Sequence, residues 1–187
     1  MNFIEQLNTG RNPPEDINTV IEIPKGSNIK YEYDIVNGIL CVDRILSVEM
    51  VYPFNYGFIP KTMETLDDNS NNIDNLDVFV IDIDPLQPLS LINCTPIGVI
   101  LTEDQDGVDS KIIATPILKI MNYNNVMDLK DVNHYYLNKL KHFIEHHKDL
   151  EKEKFVKIKE LGDNAKAKDI ILDAMENYKK YKKLNKY

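Results

Sequence analysis

Seven short runs of β-favouring residues constrain the fold of this chain more than any other feature. They lie between residues 17 and 117 and read INTVIEI, NIKYEYDI, ILCVDRIL, LDVFVIDI, LSLINC, IGVILT and SKIIATPI. Glycine, proline, asparagine and aspartate separate the runs, and few helical patterns lie between them. Short strands joined by turns are typical of an antiparallel sheet or a closed barrel. We therefore predict a mainly β fold.

Helical patterns come late in the chain. The segment 131–150 predicts a helix because it carries a stripe with a 3.6-residue period, formed by Tyr136, Leu140, Phe143 and His147. Lys148 follows this stripe directly, and a second helix is predicted from Asn164 to about Tyr181. A short helix is also predicted over residues 2–8. These helices would flank the β structure.

Length and charge limit the possible functions. A chain of 187 residues with 43% hydrophobic content suits a single domain over residues 1–187, which would bury roughly 70% of its unfolded surface. The net charge of -8 opposes binding to nucleic acid or to an anionic membrane. An anionic ligand must therefore bind where lysine, arginine or a metal reverses the sign locally.

The cellular location follows from the cysteines and the N-terminus. Cys41 and Cys94 both lie in apolar runs, which favours reduced core thiols over a disulfide. The first residues lack the basic start and apolar centre of a signal peptide, and no run approaches 18 apolar residues. We expect a cytoplasmic protein without membrane contact.

Four aspartates interrupt the stretch NNIDNLDVFVIDID, at residues 71–84. Burying an unpaired carboxylate costs several kcal/mol or more, so these acids either stay in water or bind a cation. In a strand, Asp77 would share one face with Phe79 and Ile81. A carboxylate is thus expected on an apolar face at the strand's entrance.

The segment TEDQDGVDSK adds further acids around Gly107. It resembles a calcium loop poorly, since the glutamate at the twelfth position is absent, and a plain acidic hairpin turn is the alternative. Oxygen donors of this kind suit Mg²⁺ together with a phosphate, and the candidates are Asp74, Asp77, Asp104 and Asp109. The candidate cations are Lys30, Arg44, Lys111 and Lys148. The combination of these acids and cations favours a metal–phosphate site over a purely structural metal site.

Other mechanisms have little support in the sequence. GxSxG, P-loop, GxGxxG and CxxC patterns are absent. His142 and His146 are four residues apart and could share a metal, but a helix or subunit contact is the simpler interpretation. Glu22 and Arg44 each interrupt an apolar strand and call for partners. Lys30, Glu32 and Asp34 would share one strand face, which alone is an ordinary half-exposed strand.

Seven motifs in order resemble the family I soluble inorganic pyrophosphatases. They are VIEIP, IKYE, VDR, YPFNYGFIP, DNLDV, DQDGVDSK and HKDLE, and they cover most of the chain. The resemblance implies a five-stranded OB-like closed barrel with flanking helices. It also implies hydrolysis of diphosphate to two phosphates with several Mg²⁺ ions, and a homo-hexamer.

The resemblance also implies roles for individual residues. Asp74 would take a proton from the attacking water. The metal-binding group would comprise Asp77, Asp109, Asp104, Asn72, Glu22 and Glu32, the last two on the substrate side. The substrate-binding group would comprise Lys30, Arg44, Tyr52, Tyr56, Lys111, His147 and Lys148.

Two positions depart from the family pattern. Asn72 stands where the family has an acid, so we expect weaker metal binding with activity retained, unless Asp67 or Asp68 replaces the missing carboxylate. His147 stands where the family has a tyrosine that contacts phosphate. Near its reference pKa of about 6.5 an imidazole becomes cationic, so we expect tighter substrate binding below neutral pH.

Two alternative functions remain open at the level of sequence. The first is a catalytically silent relative that serves as a metal- or phosphate-binding module, motivated by Asn72 and His147. The second is an OB-type nucleic-acid binder that uses the last thirteen residues, which hold five lysines and one glutamate. The overall acidity argues against the second, and a solvated helix end is the simpler interpretation of the lysines.

Overall fold

The computed structural model describes residues 4–65, 74–81, 83–105, 107–117 and 126–184. Within these ranges it contains eight strands, two α-helices and short 3-10 turns at Ile4–Gln6 and Leu129–Asp131. The strands and helices are β1 (Ile17–Ile23), β2 (Ile29–Asp34), β3 (Ile39–Ile45), β4 (Asn55–Phe58), β5 (Asp77–Val80), β6 (Leu91–Asp104), β7 (Gly107–Pro116), α1 (His134–His146), β8 (Val156–Gly162) and α2 (Asn164–Leu184).

Five strands form a closed ring in the order β1-β4-β5-β7-β6, since β6 pairs back onto β1. The β5–β7 pair is parallel, and the other pairs of the ring are antiparallel. β8 adds to β6 outside the ring, and β2 and β3 form a separate antiparallel hairpin. The predicted five-stranded closed barrel with flanking helices is confirmed.

Some elements differ from the prediction. LSLINC and IGVILT belong to one strand, β6, whose pairing with β7 shifts register between Pro96 and Gly98. Sequence patterns missed β4, which is only four residues long, and β8, whose alternation is masked by exposed lysines and glutamates. Helix α1 is shorter than the predicted segment 131–150. It starts later because the Asn133 side chain accepts the Tyr135 N–H and caps its start, and it ends at His146, where residues 147–150 form turns.

The apolar side chains divide into two main clusters. Alternate residues of β5 contribute to each: Phe79 packs with Phe143 of α1, while Val78 packs with Ile171 of α2. Asp77 precedes Phe79 by two residues, so its carboxylate lies on the α1 side of the strand. The structure therefore places an acid on the apolar face of β5, as the alternation predicts.

The motif YPFNYGFIP owes part of its composition to packing. A Cβ atom on Gly57 would lie 1.9 Å from the Val20 carbonyl oxygen, so only glycine lets β4 approach β1. The buried Asn55 side chain accepts the N–H groups of Lys25 and Leu86 and donates to the Asp84 carbonyl. Asn55 thus holds together two loops near one end of the barrel.

The cysteines are both free thiols, Cys94 buried and Cys41 exposed. The prediction that both lie in the core is wrong for Cys41, because β3 has most of its side chains in solvent. None of the described helices is both long and apolar enough to cross a membrane.

Candidate functional site

A cavity of about 1050 Å³ lies between the barrel, the β2–β3 hairpin and the C-terminal end of α1. Thirteen of the fourteen predicted site residues line it, and Asn72 falls outside the described residues, as do Asp67 and Asp68. The thirteen are Glu22, Lys30, Glu32, Arg44, Tyr52, Tyr56, Asp74, Asp77, Asp104, Asp109, Lys111, His147 and Lys148. The structure therefore brings distant segments of the chain together at one site.

Lys111 occupies the centre of an acidic group on the barrel. Parallel pairing of β5 with β7 sets Asp77 opposite Lys111, whose Nζ lies 2.9 Å from Asp77 Oδ2 and 2.6 Å from Asp109 Oδ2. The Tyr56 hydroxyl donates to the same Asp77 oxygen. Burial raises the pKa of Asp77. Although burial alone would lower the pKa of Lys111, the charge of Asp77 raises it well above its usual value, so this lysine stays cationic.

The remaining predicted cations are also paired with acids. Lys148 Nζ lies 2.8 Å from Asp104 Oδ2, with both side chains largely buried. Lys30 contacts Glu32 at 2.5 Å on the hairpin. A lysine next to a carboxylate has its charge neutralised locally, so neither lysine offers a free positive charge to an anion.

Arg44 bridges two structural units. Its Nη1 donates to Asp43 at 2.8 Å, and its Nε lies 3.1 Å from Glu151 Oε1. The second contact is an ion pair without hydrogen-bond alignment, because Nε and Oε1 both lack a hydrogen-bond partner. Glu151 also contacts Lys154 at 3.0 Å. This carboxylate connects the hairpin to the segment that follows α1.

Three acids, two lining the cavity and one behind its wall, have a strongly raised pKa. Burial raises the pKa of Glu22 to about 8, although its Oε1 accepts the Tyr33 N–H at 2.7 Å. Partial desolvation, followed by the charges of Asp77 and Asp109, raises the pKa of Asp74 to about 6. Burial and the charge of Asp109 raise the pKa of Glu64 to about 8. Crowded carboxylates favour protonation unless a cation compensates them.

Aromatic rings form the inner side of the cavity. Tyr52 packs against Phe143 and Tyr56, with ring centroids 4.7 and 5.5 Å apart, and Tyr56 packs on Phe79 at 4.7 Å. Burial raises the pKa of both tyrosines, so their hydroxyls stay neutral. The Tyr56 hydroxyl donates its hydrogen to Asp77, whereas the Tyr52 hydroxyl can donate to an anion.

His147 differs from the sequence prediction. Its Nδ1 lies 3.1 Å from the Phe143 carbonyl and 3.0 Å from the Ile144 carbonyl, and its ring stacks on Phe143. Burial lowers the pKa of His147 to about 4. The expectation of a cationic imidazole just below neutral pH is therefore wrong. Because Nδ1 donates to these carbonyls, Nε2 of the neutral ring is an acceptor.

His142 and His146 face each other on α1, with ring centroids 4.6 Å apart, and His146 Nδ1 contacts Asp149 at 2.8 Å. Across the described ranges, no three histidine, cysteine, aspartate or glutamate side chains are arranged as a ready metal site. His142 and His146 therefore do not belong to such an arrangement. In the cavity, Lys111 and Lys148 lie among the carboxylates.

Sequence reasoning missed two acids near the site, Glu64 and Glu151. Glu151 ends the motif HKDLE, but the motif alone does not indicate a role for it. Glu64 lies in the long connection between β4 and β5, where no periodic pattern or motif singles it out. Only the tertiary structure shows that its carboxylate meets β7, where Oε1 accepts the Ser110 N–H.

Comparison with known proteins gives a consistent result. The family model for inorganic pyrophosphatase matches residues 19–179. The inorganic pyrophosphatase of Saccharolobus solfataricus is 47% identical over 93% of this chain and 98% of its own length. That of Nanoarchaeum equitans is 49% identical over 88% of this chain and 99% of its own. The structure of the Thermus thermophilus inorganic pyrophosphatase superimposes with a TM-score of 0.86 and 34% identity, covering 96% of this chain and 99% of that one. The chain belongs to the inorganic pyrophosphatase family.

Proposed function

We propose that this chain carries out the reaction of its family, the hydrolysis of diphosphate to two phosphates, in the cavity described above with the help of Mg²⁺. The observation that carries the proposal is the balance of charge there. Seven acidic side chains of the described residues line the cavity against five lysines and arginines. A diphosphate would be repelled from such a site unless metal cations neutralised the acids.

The donor set fits Mg²⁺. The candidate ligands offer oxygen only, which is what this hard cation prefers, and they are Asp77, Asp109, Asp104, Glu22, Glu32 and Asn72. Burial raises the pKa of Glu22 to about 8, so a cation beside this carboxyl would favour its ionised form. When bound, Mg²⁺ supplies positive charge to the phosphates and lowers the pKa of water.

The lysines and arginine change partners in this scheme. In the structure, Lys111 neutralises Asp77 and Asp109, and Lys148 neutralises Asp104. With cations on these carboxylates, the ammonium groups and the Tyr56 hydroxyl would be available to phosphate oxygens. Arg44 and Lys30 approach the substrate from the hairpin. Tyr52 and Tyr56 donate hydrogen bonds, and His147 lines the wall beside Lys148.

Asp74 is the proposed general base. It lines the cavity with a partly exposed side chain, and desolvation together with the charges of Asp77 and Asp109 raises its pKa to about 6. A carboxylate with this pKa is mostly ionised at neutral pH and is a stronger base than an ordinary aspartate. Asp74 can therefore accept the proton of the attacking water.

The experiment is phosphate release from diphosphate, with and without Mg²⁺, by the natural protein and by Asp74→Ala. We expect Mg²⁺-dependent release that falls by about 10²- to 10⁴-fold in the variant, the range for loss of a general base. A protein that releases no phosphate but still binds Mg²⁺ and diphosphate would instead be a silent binding module.

We also propose a single domain over residues 1–187, a homo-hexamer and a cytoplasmic location, without nucleic-acid or membrane partners. The free thiols of Cys41 and Cys94 are compatible with a reducing compartment. Light scattering of the purified protein would test the hexamer, and a mass of one to three chains would contradict it. Filter binding of single strands at low salt would test for nucleic-acid binding.

A further inference from the structure

We infer that Glu64 is a positioning residue, which fixes Asp109 relative to Asp74 through a hydrogen bond to the backbone between Asp109 and Lys111. The inference rests on the proposed metal role of Asp109. Glu64 does not line the cavity. It acts from behind the cavity wall, where its carboxylate meets β7.

The backbone around Glu64 is held on two sides. Met63 N–H donates to the Ala174 carbonyl of α2 at 2.9 Å, and Glu64 N–H donates to the Asp74 carbonyl at 3.0 Å. Asn177 Nδ2 adds contacts at 3.3 Å to the carbonyls of Met63 and Glu64. The segment is therefore attached to α2 and to the residue proposed as general base.

The side chain extends this connection to β7. Glu64 Oε1 accepts the Ser110 N–H at 2.5 Å, and Ser110 is the residue between Asp109 and Lys111. Asp109 is only partly buried and follows the hairpin turn at Gly107, so β7 begins close to it. One residue thus ties the backbone of Asp74 to the backbone beside Asp109.

The cross-link made by Glu64 matters for the proposed chemistry. A general base and a metal ligand on separate segments can act at the same site only if the distance between the segments is fixed. The β5–β7 ladder fixes Asp77 against Lys111, but Asp74 precedes β5 and lies outside that ladder. Glu64 supplies the missing cross-link with one backbone bond and one side-chain bond.

The test compares Glu64→Ala with Glu64→Gln, because glutamine keeps an oxygen acceptor for Ser110 N–H. Mg²⁺ binding to the substrate-free protein is measured by calorimetry, and amide exchange of the β7 peptide by mass spectrometry. Outer partners of metal ligands typically contribute about 10- to 100-fold to metal affinity, so we expect Glu64→Ala to weaken Mg²⁺ binding at least about 10-fold and to speed exchange at Ser110. Glu64→Gln should restore both properties to within about threefold.

Two controls separate the possible failures. Asn177→Ala removes only two long contacts to this segment and keeps its two backbone bonds and the Ser110 bond, so it should leave Mg²⁺ affinity unchanged. A loss as large as that in Glu64→Ala would overturn the role of the Ser110 bond. Asp109→Asn should weaken Mg²⁺ binding if the proposed metal role is right.

Weak binding in Asp109→Asn with normal binding and exchange in Glu64→Ala overturns the positioning role alone. Normal binding in Asp109→Asn overturns the metal role and the inference with it. Equal losses in Glu64→Gln and Glu64→Ala would overturn the inference, because the charge would then matter instead of the acceptor.

Discussion

The two sides of the cavity are built differently. The barrel wall consists of Tyr56, Asp77, Asp109 and Lys111, carried by β4, β5 and β7. The hairpin wall consists of Lys30, Glu32 and Arg44, carried by β2 and β3. Residues of β4 and β5 are mostly buried, and β5 has strand neighbours on both sides. In contrast, β3 is mostly exposed, and β2 and β3 pair only with each other among the described strands.

This difference fits separate proposed roles for the two walls, metal binding for one and phosphate binding for the other. A metal site requires ligands held within a fraction of an ångström, and a strand bonded on both edges provides that. Phosphate contacts made by long lysine and arginine side chains tolerate more movement of the backbone. If the proposed roles are right, the hairpin wall would adjust to the substrate while the barrel wall would keep the metals in place.

The largest expected effect is on the barrel wall. Asp77→Asn should lower kcat/KM by about 10³-fold, because it removes a proposed ligand of metal ions that stabilise the transition state by several kcal/mol, and each 1.36 kcal/mol is tenfold. The Mg²⁺ concentration for half-maximal activity should rise as well. Steady-state kinetics over a range of Mg²⁺ concentrations would measure both. Asp84→Asn, the same change at an exposed position just after β5, is the control and should behave like the natural protein.

The hairpin wall should respond differently. Arg44→Ala should raise KM for diphosphate by about 30-fold, because a hydrogen bond to a charged group is worth about 1.5–3 kcal/mol, and it should leave Mg²⁺ affinity unchanged. Calorimetry with Mg²⁺ alone, beside kinetics, separates the two quantities. Arg11→Ala, an exposed arginine far from the cavity, is the matched control. If Arg44→Ala weakened Mg²⁺ binding as much as Asp77→Asn did, the two walls would not be functionally distinct.

His147 lies where the end of α1 meets both walls, and its protonation should affect stability. Its pKa of about 4 in the folded protein lies below the unfolded value of 6.5, so the folded state binds fewer protons between these values. The resulting stability is complete above pH 6.5 and is lost as the pH falls towards 4, with about 2 kcal/mol lost by pH 5. Urea unfolding at pH 7.5 and 5 gives the change in stability between the two pH values, and this change should be about 2 kcal/mol less favourable in the natural protein and in His134→Tyr than in His147→Tyr. The raised pKa values of Glu22, Asp74 and Glu64 act in the opposite direction, but they contribute equally to all three proteins. An equal change in all three would contradict the assignment.

The smallest expected effect concerns Asn72, in the connection that leads to β5. Asn72→Asp should tighten Mg²⁺ binding by about fivefold, because one added charge at about 4 Å from a divalent cation is worth about 2 kcal/mol in water and salt screening reduces this to about 1 kcal/mol. Calorimetry measures the change, and Asn71→Asp is the control for added charge nearby. Unchanged Mg²⁺ affinity would mean that another group already replaces the family's acid.

Sequence reasoning succeeded where local patterns carry the information. Alternation predicted that Asp77 lies on the Phe79 face, and turn residues predicted the β6–β7 hairpin around Gly107. It failed for β8, because a strand paired on one edge with exposed charged residues lacks an apolar rhythm. It also failed for the ionisation of His147, since nothing local indicates that Nδ1 meets two helix carbonyls and that the ring lies on Phe143.

The sequence by itself determined which chemical groups are available: aspartates beside apolar strand residues, isolated cations in strands, and seven motifs in family order. The tertiary structure alone decided which acid neutralises which cation, and that Glu64 bonds to β7. The physical reason is that ion pairs and hydrogen bonds depend on distances across the fold. Asp104 and Lys148 are 44 residues apart in the chain, yet their charged atoms lie 2.8 Å from each other.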